Sequence, residues 1–447
     1  MSSDLQKTTR NQDVSDRWWI LTFVALAYFV LILHRALVFY VQKPLSTDLF
    51  LDKTQTGFLD TAFLVPYSIT QLFVAYLSDR FRRRTVLTCS LVCSSLVLFC
   101  MGFVRSYTEL VSLRIVLGFA QAASVPAIAG VMADCFTTRN RSTAIGIYNL
   151  SLNLAFIVVG KFGGAFADIP SIRMPFSSLT FLPTELAGWR IAMLCFGLVG
   201  FTMAVLIRTL MREPDRTERV ASQGLGTQGA SLGTTIRSVL AIRSYWVIAL
   251  SFVFLCMVTN AQDFWLPRYY VESFGMTNEQ AGQMATIWSK PSTIAGLLLG
   301  GYLADRWARK RRSGRTLTQM IGMLAWIPAL FVLGTSQDLN ILKLAMITVG
   351  LGYGLYVANL WTTTFDVIDP AARSTAVGLL NVIGIGAAPT APLVGYLAEN
   401  KILGLGQSIA SLSILATAIT GLLLLNATVL LRHDHRGTIA DPAENPS

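Results

Sequence analysis

Several basic residues lie inside long apolar stretches of the chain, where a charge is rare, and three of them are candidates for chemistry. They are Arg35, Arg114 and Lys290. A charged side chain at the centre of a bilayer costs at least about 2.5 kcal/mol, so it usually faces a cavity or a partner. A guanidinium presents a planar fork that matches a carboxylate, sulfonate or phosphate, and it keeps its charge at physiological pH. The three residues therefore predict a site for a negatively charged solute.

The first of these residues, Arg35, follows directly after His34. Adjacent positions of an α-helix differ by about 100°, so the two side chains cannot point in the same direction. Arg35 shares a helix face with Tyr28 and Phe39, a polar and aromatic stripe suited to a cavity wall. We expect Arg35 to contact the substrate, and the alternative is an ion pair with a protein carboxylate.

Arg114 shares one face of its helix with Gly118 and Gln121, which follow it by four and seven residues. The glycine permits close approach of another helix, while the two polar side chains point inward. We predict that Arg114 belongs to a central polar network, and a structural link between helices is the alternative.

Lys290 stands next to Pro291, where a helix break would free backbone carbonyl groups. Its ammonium group could add to the positive charge of a substrate cavity. It could equally pair with Asp263, and the sequence leaves both interpretations open.

The elements that must position these residues are membrane-spanning helices. The chain of 447 residues is 53% hydrophobic and 14% charged, with a mean hydropathy of +0.54. Its apolar runs are about 20 residues long, the length that crosses the hydrocarbon core of a bilayer as a helix. Twelve are predicted, at 18–41, 57–78, 85–104, 109–133, 143–167, 189–210, 244–267, 280–303, 317–335, 340–365, 374–398 and 405–431.

The net charge of +11 is concentrated in loops of one side of the predicted membrane. Most of the basic residues lie in 79–84, 137–141, 208–219, 305–315 and 432–436. The excess of Lys and Arg in cytoplasmic loops makes this side the cytoplasm, with both termini on it. This distribution predicts a multi-pass protein of the cell inner membrane, with the lipid bilayer rather than nucleic acid as its surroundings.

The two halves of the chain repeat each other. The stretch "AYLSDRFRRRT" (75–85) matches "GYLADRWARKR" (301–311), and "RSTAIGIYNL" (141–150) matches "RSTAVGLLNV" (373–382). Each pair falls at the equivalent place in a half of six helices. The repeat predicts an all-α integral membrane fold of two six-helix halves, with the substrate site between them near the midplane.

The predicted organisation has five parts and one long outer loop. The parts are a cytoplasmic tail 1–17, a first bundle 18–210, a cytoplasmic linker 211–243 with one surface helix, a second bundle 244–431 and a cytoplasmic tail 432–447. The outer loop 168–188 contains three prolines. We expect it to pack over helix ends, and a lid is the alternative.

Several motifs resemble those of a known family. "GYLADRWARK" is similar to the G-x-L-A-D-R-x-G-R-K signature of the major facilitator superfamily, although Ala75 and Arg82 depart from it in the first copy. "LRIVLGFAQAASVPA", "FWLPRYY" (264–270) and "GLLNVIGIGAAPTAPLVGYLAEN" (378–400) resemble the anion:cation symporter family, which includes galactonate, hexuronate and vesicular glutamate carriers. The resemblance covers nearly the whole chain and implies the major facilitator fold.

The resemblance also implies roles for particular residues. It places Arg35 at the substrate carboxylate and adds Tyr67, Trp361 and Asn381 as substrate-binding residues. It implies that Asp79 and Arg80, with Asp305 and Arg306 in the second copy, belong to a gate at the cytoplasmic side.

The chain departs from the family at both expected proton carriers. Symporters of the family have a carboxylate before the first-helix Arg and another in the fourth helix, where this chain has His34 and Gln121. Asp60 in the second predicted span, together with His34, is our preferred replacement. Sodium coupling, exchange and downhill export stay open.

The sequence thus predicts a secondary active transporter that takes up a small organic anion, such as a sugar acid or a sulfonate, coupled to protons. We expect a monomer with no catalytic residue, no metal site and no cofactor. A multidrug or metabolite exporter of the same fold is the first alternative, and a transporter-like membrane sensor is the second.

Overall fold

The described part of the chain is almost entirely helical. The structure is a computed structural model that describes residues 2–78, 81–136, 138–173, 185–213, 232–309, 313–369 and 372–430. Helices of the first part are α1 (Ser2–Tyr40), α2 (Gln42–Asp48), α3 (Lys53–Ser78), α4 (Arg83–Met101), α5 (Tyr107–Ala122), α6 (Ser124–Cys135), α7 (Thr138–Ala167) and α8 (Gly188–Leu210). They are followed by α9 (Leu232–Ala241), α10 (Arg243–Phe274), α11 (Asn278–Ile287), α12 (Ser289–Ala308), α13 (Gly314–Thr335), α14 (Leu339–Val367), α15 (Arg373–Ile383), α16 (Thr390–Glu399) and α17 (Leu405–Leu425).

The predicted apolar runs are all helical in the structure. Within the described residues, ten helical stretches are long and apolar enough to cross a bilayer. The two other predicted runs are helical as well, because α3 covers 57–78, and α11 with α12 covers 280–303. The all-α fold class with twelve membrane-spanning runs is therefore confirmed. A helix predicted for the linker is observed as α9.

Two of the spans are interrupted four residues before a proline. A proline lacks the N–H that would bond the carbonyl four residues earlier, and its ring collides with that carbonyl. Accordingly α5 ends at Ala122, before Pro126, and α11 ends at Ile287, before Pro291. A third interruption separates α15 from α16, where the chain makes a 3-10 turn over Gly384–Ala387. Each of these spans is thus a pair of shorter helices.

Contacts divide the chain into two compact units. The first comprises Met1–Gly224 together with Leu266–Thr286, and the second comprises Leu225–Trp265 and Ile287–Ser447. In the first unit α1 packs against α7, α3 against α5 and α4 against α8. In the second unit α14 packs against both α12 and α13, and α13 against α17. The predicted division at 211–243 stays a prediction, and the tail 432–447 lies outside the described residues.

The segment Leu266–Thr286 belongs to the first unit because α11 packs closely on α7. A Cβ atom on Gly160 would lie 2.8 Å from the Gly282 carbonyl oxygen, so the two backbones approach without side chains between them. The carboxylate of Asp168, just after α7, accepts hydrogen bonds from the backbone N–H groups of Asn278 (3.0 Å) and Glu279 (2.9 Å). A negative charge at a helix N-terminus stabilises that helix.

The outer loop 168–188 is described only at its two ends. Ile172–Arg173 and Glu185–Leu186 form a short antiparallel strand pair, β1 and β2. Residues 174–184 lie outside the described residues, so packing of this loop over helix ends stays a prediction.

Replacing Gly160 by alanine should destabilise the first unit. The added methyl group would press on the Gly282 carbonyl and on Thr286 Oγ1, which lies 3.0 Å from its position. Overpacking of this kind costs about 1–3 kcal/mol, partly offset by the helix propensity of alanine, about 1 kcal/mol. Thermal unfolding of the purified protein in detergent, followed by tryptophan fluorescence, measures the effect.

Gly146→Ala is the matched control on the same helix, because a Cβ atom there meets nothing within 4 Å. This variant should be as stable as the natural protein or slightly more so. Equal Tm values for the two variants would contradict the close packing of α7 on α11.

Candidate anion-binding site

Arg35 lies over two aromatic rings of the neighbouring helix α3. Its guanidinium carbon is 5.0 Å from the ring centroid of Phe63 and 5.6 Å from that of Tyr67. The two rings are themselves stacked, with centroids 5.3 Å apart. The ring faces attract the cation, by about 0.5–2 kcal/mol for each such contact. Arg35 is partly accessible and, among the described residues, forms no ion pair, so its charge stays available to a ligand.

Arg114 is completely buried and binds backbone carbonyl groups of two other helices. Its Nε donates to the Leu59 carbonyl of α3 (2.9 Å) and its Nη1 to the Arg35 carbonyl of α1 (3.2 Å). Its guanidinium carbon lies 5.1 Å from the centroid of Phe63, the ring that also contacts Arg35. Arg114 therefore fixes the backbones that carry Arg35 and Phe63, and it adds a second positive charge beside them.

A carboxylate accompanies the two arginines. Asp60 of α3 is 1% exposed and lies within electrostatic range of Arg114. Arg35 is within electrostatic range of Arg114 as well. With Asp60 ionised, two positive charges and one negative charge leave the group with one net positive charge. A buried arrangement of this kind attracts an anion, because the low dielectric strengthens the uncompensated charge.

Close packing of α5 on α3 follows from Gly118. A Cβ atom at this position would lie 2.6 Å from the Phe63 carbonyl oxygen and 3.1 Å from the Tyr67 backbone nitrogen. One turn further on, Gln121 donates from Nε2 to the Leu31 carbonyl of α1 (3.2 Å). The face of Arg114, Gly118 and Gln121 is thus the face that packs against α1 and α3, as the spacing predicts.

His34 points away from Arg35, as the helix geometry predicts. Its Nε2 is 3.0 Å from the Phe196 carbonyl oxygen of α8 and its Nδ1 is 3.0 Å from Ser94 Oγ of α4. The ring is 0% exposed. A carbonyl oxygen only accepts, so Nε2 carries a proton and Nδ1 pairs with the hydroxyl. The structure thus separates His34 from the arginine cluster, and its role in ion coupling stays a prediction.

The remaining predicted substrate residues lie in the second unit. Trp361 of α14 is near Phe252 of α10, with ring centroids 6.2 Å apart, and Asn381 is exposed on α15. Lys290 of α12 pairs with both carboxylate oxygens of Asp263, at 2.9 and 3.0 Å. This pairing is one of the two interpretations that the sequence leaves open for Lys290. Substrate roles for these three residues stay predictions.

The structure describes two of the four predicted gate residues. Asp79 and Arg80 lie outside the described residues. Asp305 and Arg306 are exposed at the end of α12, where Arg306 Nη1 lies 3.4 Å from Tyr302 Oη. A gating role for the four residues stays a prediction.

Sequence reasoning missed two aromatic residues of the cluster. Phe63 precedes Tyr67 by one helical turn, so the spacing of four residues could have identified it. Tyr148 of α7 stacks on Tyr28 of α1, with ring centroids 4.3 Å apart. Nothing in the local sequence indicates that second contact, because the two residues lie 120 positions apart.

Twelve apolar helical runs with charged residues buried among them define a multi-pass membrane protein. The chain belongs to the major facilitator superfamily, which it matches over residues 24–384. It is therefore a membrane transporter and not an enzyme.

Two curated relatives match most of the chain. A probable galactarate/D-glucarate transporter of Bacillus subtilis is 26% identical over 418 residues, covering 87% of each chain. A probable sulfoacetate transporter of Cupriavidus necator is 25% identical over 406 residues, covering 87% of this chain and 89% of the relative. These relatives agree with the resemblance to the anion:cation symporters.

A solved structure shares the fold. A bacterial homologue of the human lysosomal transporter Spinster, in an inward-facing and unoccupied conformation, superposes with a TM-score of 0.79. The two chains are 18% identical, and the alignment covers 93% of this chain and 98% of the other.

Neutralising both Lys290 and Asp263 distinguishes a structural ion pair from a lysine that contacts the substrate. Asp263→Asn alone leaves an uncompensated ammonium group in a span and should lower stability, by less than the roughly 3–5 kcal/mol of a fully buried pair because both side chains are partly accessible. The double variant Lys290→Met with Asp263→Asn removes both charges, so it should recover most of the lost stability and retain transport. Thermal unfolding and uptake into proteoliposomes measure the two effects.

A double variant that is as stable as the natural protein but inactive would contradict a purely structural pair. That result would support contact between Lys290 and the substrate.

Proposed function

We propose that the protein is a secondary active transporter that takes up a small organic anion by alternating access. The substrate is a carboxylate, such as a sugar acid, or a sulfonate. The observation that carries the proposal is the guanidinium of Arg35, which is partly accessible, lies over Phe63 and Tyr67 and has no ion pair among the described residues. An acidic substrate group supplies the remaining counter-charge, because Asp60 offsets only one of the two arginines.

The curated relatives support an acidic substrate. They are named for galactarate, D-glucarate and sulfoacetate, which carry carboxylate or sulfonate groups. Both groups match the planar fork of a guanidinium. Since the relatives are only 25–26% identical to this chain, the proposal extends to the class of anion and not to one compound.

The proposed location is the cell inner membrane, with both termini in the cytoplasm and the protein acting as a monomer. Support comes from the basic loops, which alternate with apolar runs so that most Lys and Arg residues fall on one side.

Uptake of an anion into a negatively charged cell requires an energy source. Moving one negative charge inward against the membrane potential costs about 2.3 kcal/mol per 100 mV. We propose proton coupling through Asp60, whose burial next to Arg114 links its protonation to the charge of the substrate cluster. His34 is the second candidate, and sodium coupling or exchange would appear as different outcomes of the same transport assay.

The decisive experiment measures uptake of labelled acids into proteoliposomes, with pH and voltage gradients imposed separately. Carboxylates and sulfonates should be accumulated when the outside is acidic. Exclusive transport of cationic or neutral compounds would refute the proposal.

Arg35→Gln should keep the fold and lose anion transport by at least about 100-fold, because a charged hydrogen-bond pair is replaced by a weak neutral one. Initial rates of uptake and thermal unfolding of the same preparation measure the two quantities. Arg105→Gln is the control, since Arg105 is an exposed cation of the same unit. Full uptake by Arg35→Gln would eliminate this residue as the substrate anchor.

Asp60→Asn should abolish accumulation driven by a pH gradient while allowing exchange of labelled for unlabelled substrate. The amide cannot carry the proton, but exchange needs no net proton movement. Parallel assays of net uptake and exchange distinguish the two processes. Undiminished accumulation would assign coupling to another group.

A further inference from the structure

Tyr28 and Tyr148 form a hydroxyl pair next to the arginine cluster. Their rings are stacked, with centroids 4.3 Å apart and an angle of 26° between planes, and the two phenol groups are within electrostatic range of each other. Both residues pack against the apolar core of the first unit while remaining partly accessible. Each of the two residues therefore packs against the core on one side and keeps part of its surface accessible.

The pair lies close to the charged part of the site. Tyr28 is within electrostatic range of Arg35, and Tyr148 is within range of Tyr67. Gln71 lies one turn further along α3 than Tyr67 and is near enough to act on its phenol group. Three hydroxyl groups and one amide group, from α1, α3 and α7, are thus linked to Arg35 directly or through one neighbouring residue.

The hydroxyl group of Tyr148 is not a feature of the duplicated scaffold. Aligning "RSTAIGIYNL" with "RSTAVGLLNV" places Leu380 opposite Tyr148, and Asn381 opposite Asn149. Leu380 is 0% exposed, as expected for a packing residue. The first half therefore carries a polar group where the second half needs only an apolar one, so packing alone does not explain Tyr148.

We propose that Tyr148 is a specificity-determining residue that, with Tyr28, binds a hydroxyl group of the transported anion. This inference rests on the proposed transport of an organic anion whose acidic group lies on Arg35. A tyrosine hydroxyl group can donate one hydrogen bond and accept others, so the two stacked tyrosines together offer a donor and oxygen lone pairs to a ligand.

A substrate hydroxyl group can pair with that donor and acceptor at once, whereas a methylene group can pair with neither. A site built to bind a hydroxyl group discriminates against an analogue without it, because binding leaves the polar groups of the site unpaired. The pair therefore favours hydroxylated carboxylates over unsubstituted acids of the same length and charge.

Binding of galactarate and adipate tests the inference. Both are six-carbon dicarboxylates, and they differ only in the hydroxyl groups of galactarate. Isothermal titration calorimetry of the protein in nanodiscs should show tighter binding of galactarate. Tyr148→Phe should weaken galactarate binding by about 5- to 10-fold, the effect of one hydrogen bond, and change adipate binding by less than about twofold. Tyr28→Phe should shift the ratio of the two affinities in the same direction.

The controls separate this inference from the proposed function. Tyr396→Phe, an exposed tyrosine of α16, should leave both affinities unchanged. Arg35→Gln should lose both acids, and unchanged binding by that variant would overturn the proposed function itself. Wild-type protein that does not prefer galactarate, or Tyr→Phe variants that weaken both acids equally, would overturn the role of Tyr148 and leave that of Arg35 intact.

Discussion

The guanidinium of Arg35 lies over the faces of Phe63 and Tyr67, and the candidate site depends on this contact between a cation and two rings. A charge within a span must be compensated, and an ion pair with a carboxylate would compensate it fully. The rings compensate it only in part. The resulting residual charge is what makes the position suitable for a transported anion and unsuitable for a purely structural arginine.

The surrounding residues keep this partly compensated charge in place. Arg114 holds the carbonyl groups of Leu59 and Arg35, so the backbones of α3 and α1 are tied to α5. Gly118 allows α5 to approach the segment of α3 that carries both rings. Fixed backbones are needed because a cation–π contact weakens when the cation moves away from the ring centroid. The buried arginine and the glycine thus support the accessible arginine.

Much of the fold could be predicted from the sequence, because the signals are local. Apolar runs indicated the spans, and the proline positions Pro126 and Pro291 coincide with the helix breaks found four residues earlier. The face of Arg114 also followed from spacing alone. These features depend on the chain within one or two helical turns.

Contacts between distant helices could not be predicted in the same way. The partners of His34 come from α4 and α8, and Tyr28 meets a residue of α7 that is 120 positions away. For Lys290 the sequence offered Asp263 or a substrate, and only the packing of α10 beside α12 decided which atoms lie together in this structure. Which of these partners a residue contacts depends on how distant helices pack together. The residues next to it in the sequence do not specify that packing.

The break between α5 and α6 has a mechanical consequence. Pro126 provides no N–H for the Ala122 carbonyl, so the hydrogen-bond ladder is interrupted one residue after Gln121. Bending at this joint requires fewer broken bonds than bending within either helix. The segment Ser124–Cys135 can therefore tilt while the turn that carries Arg114 keeps its hydrogen bonds to α1 and α3, so flexing of this half of the span does not have to disturb the site.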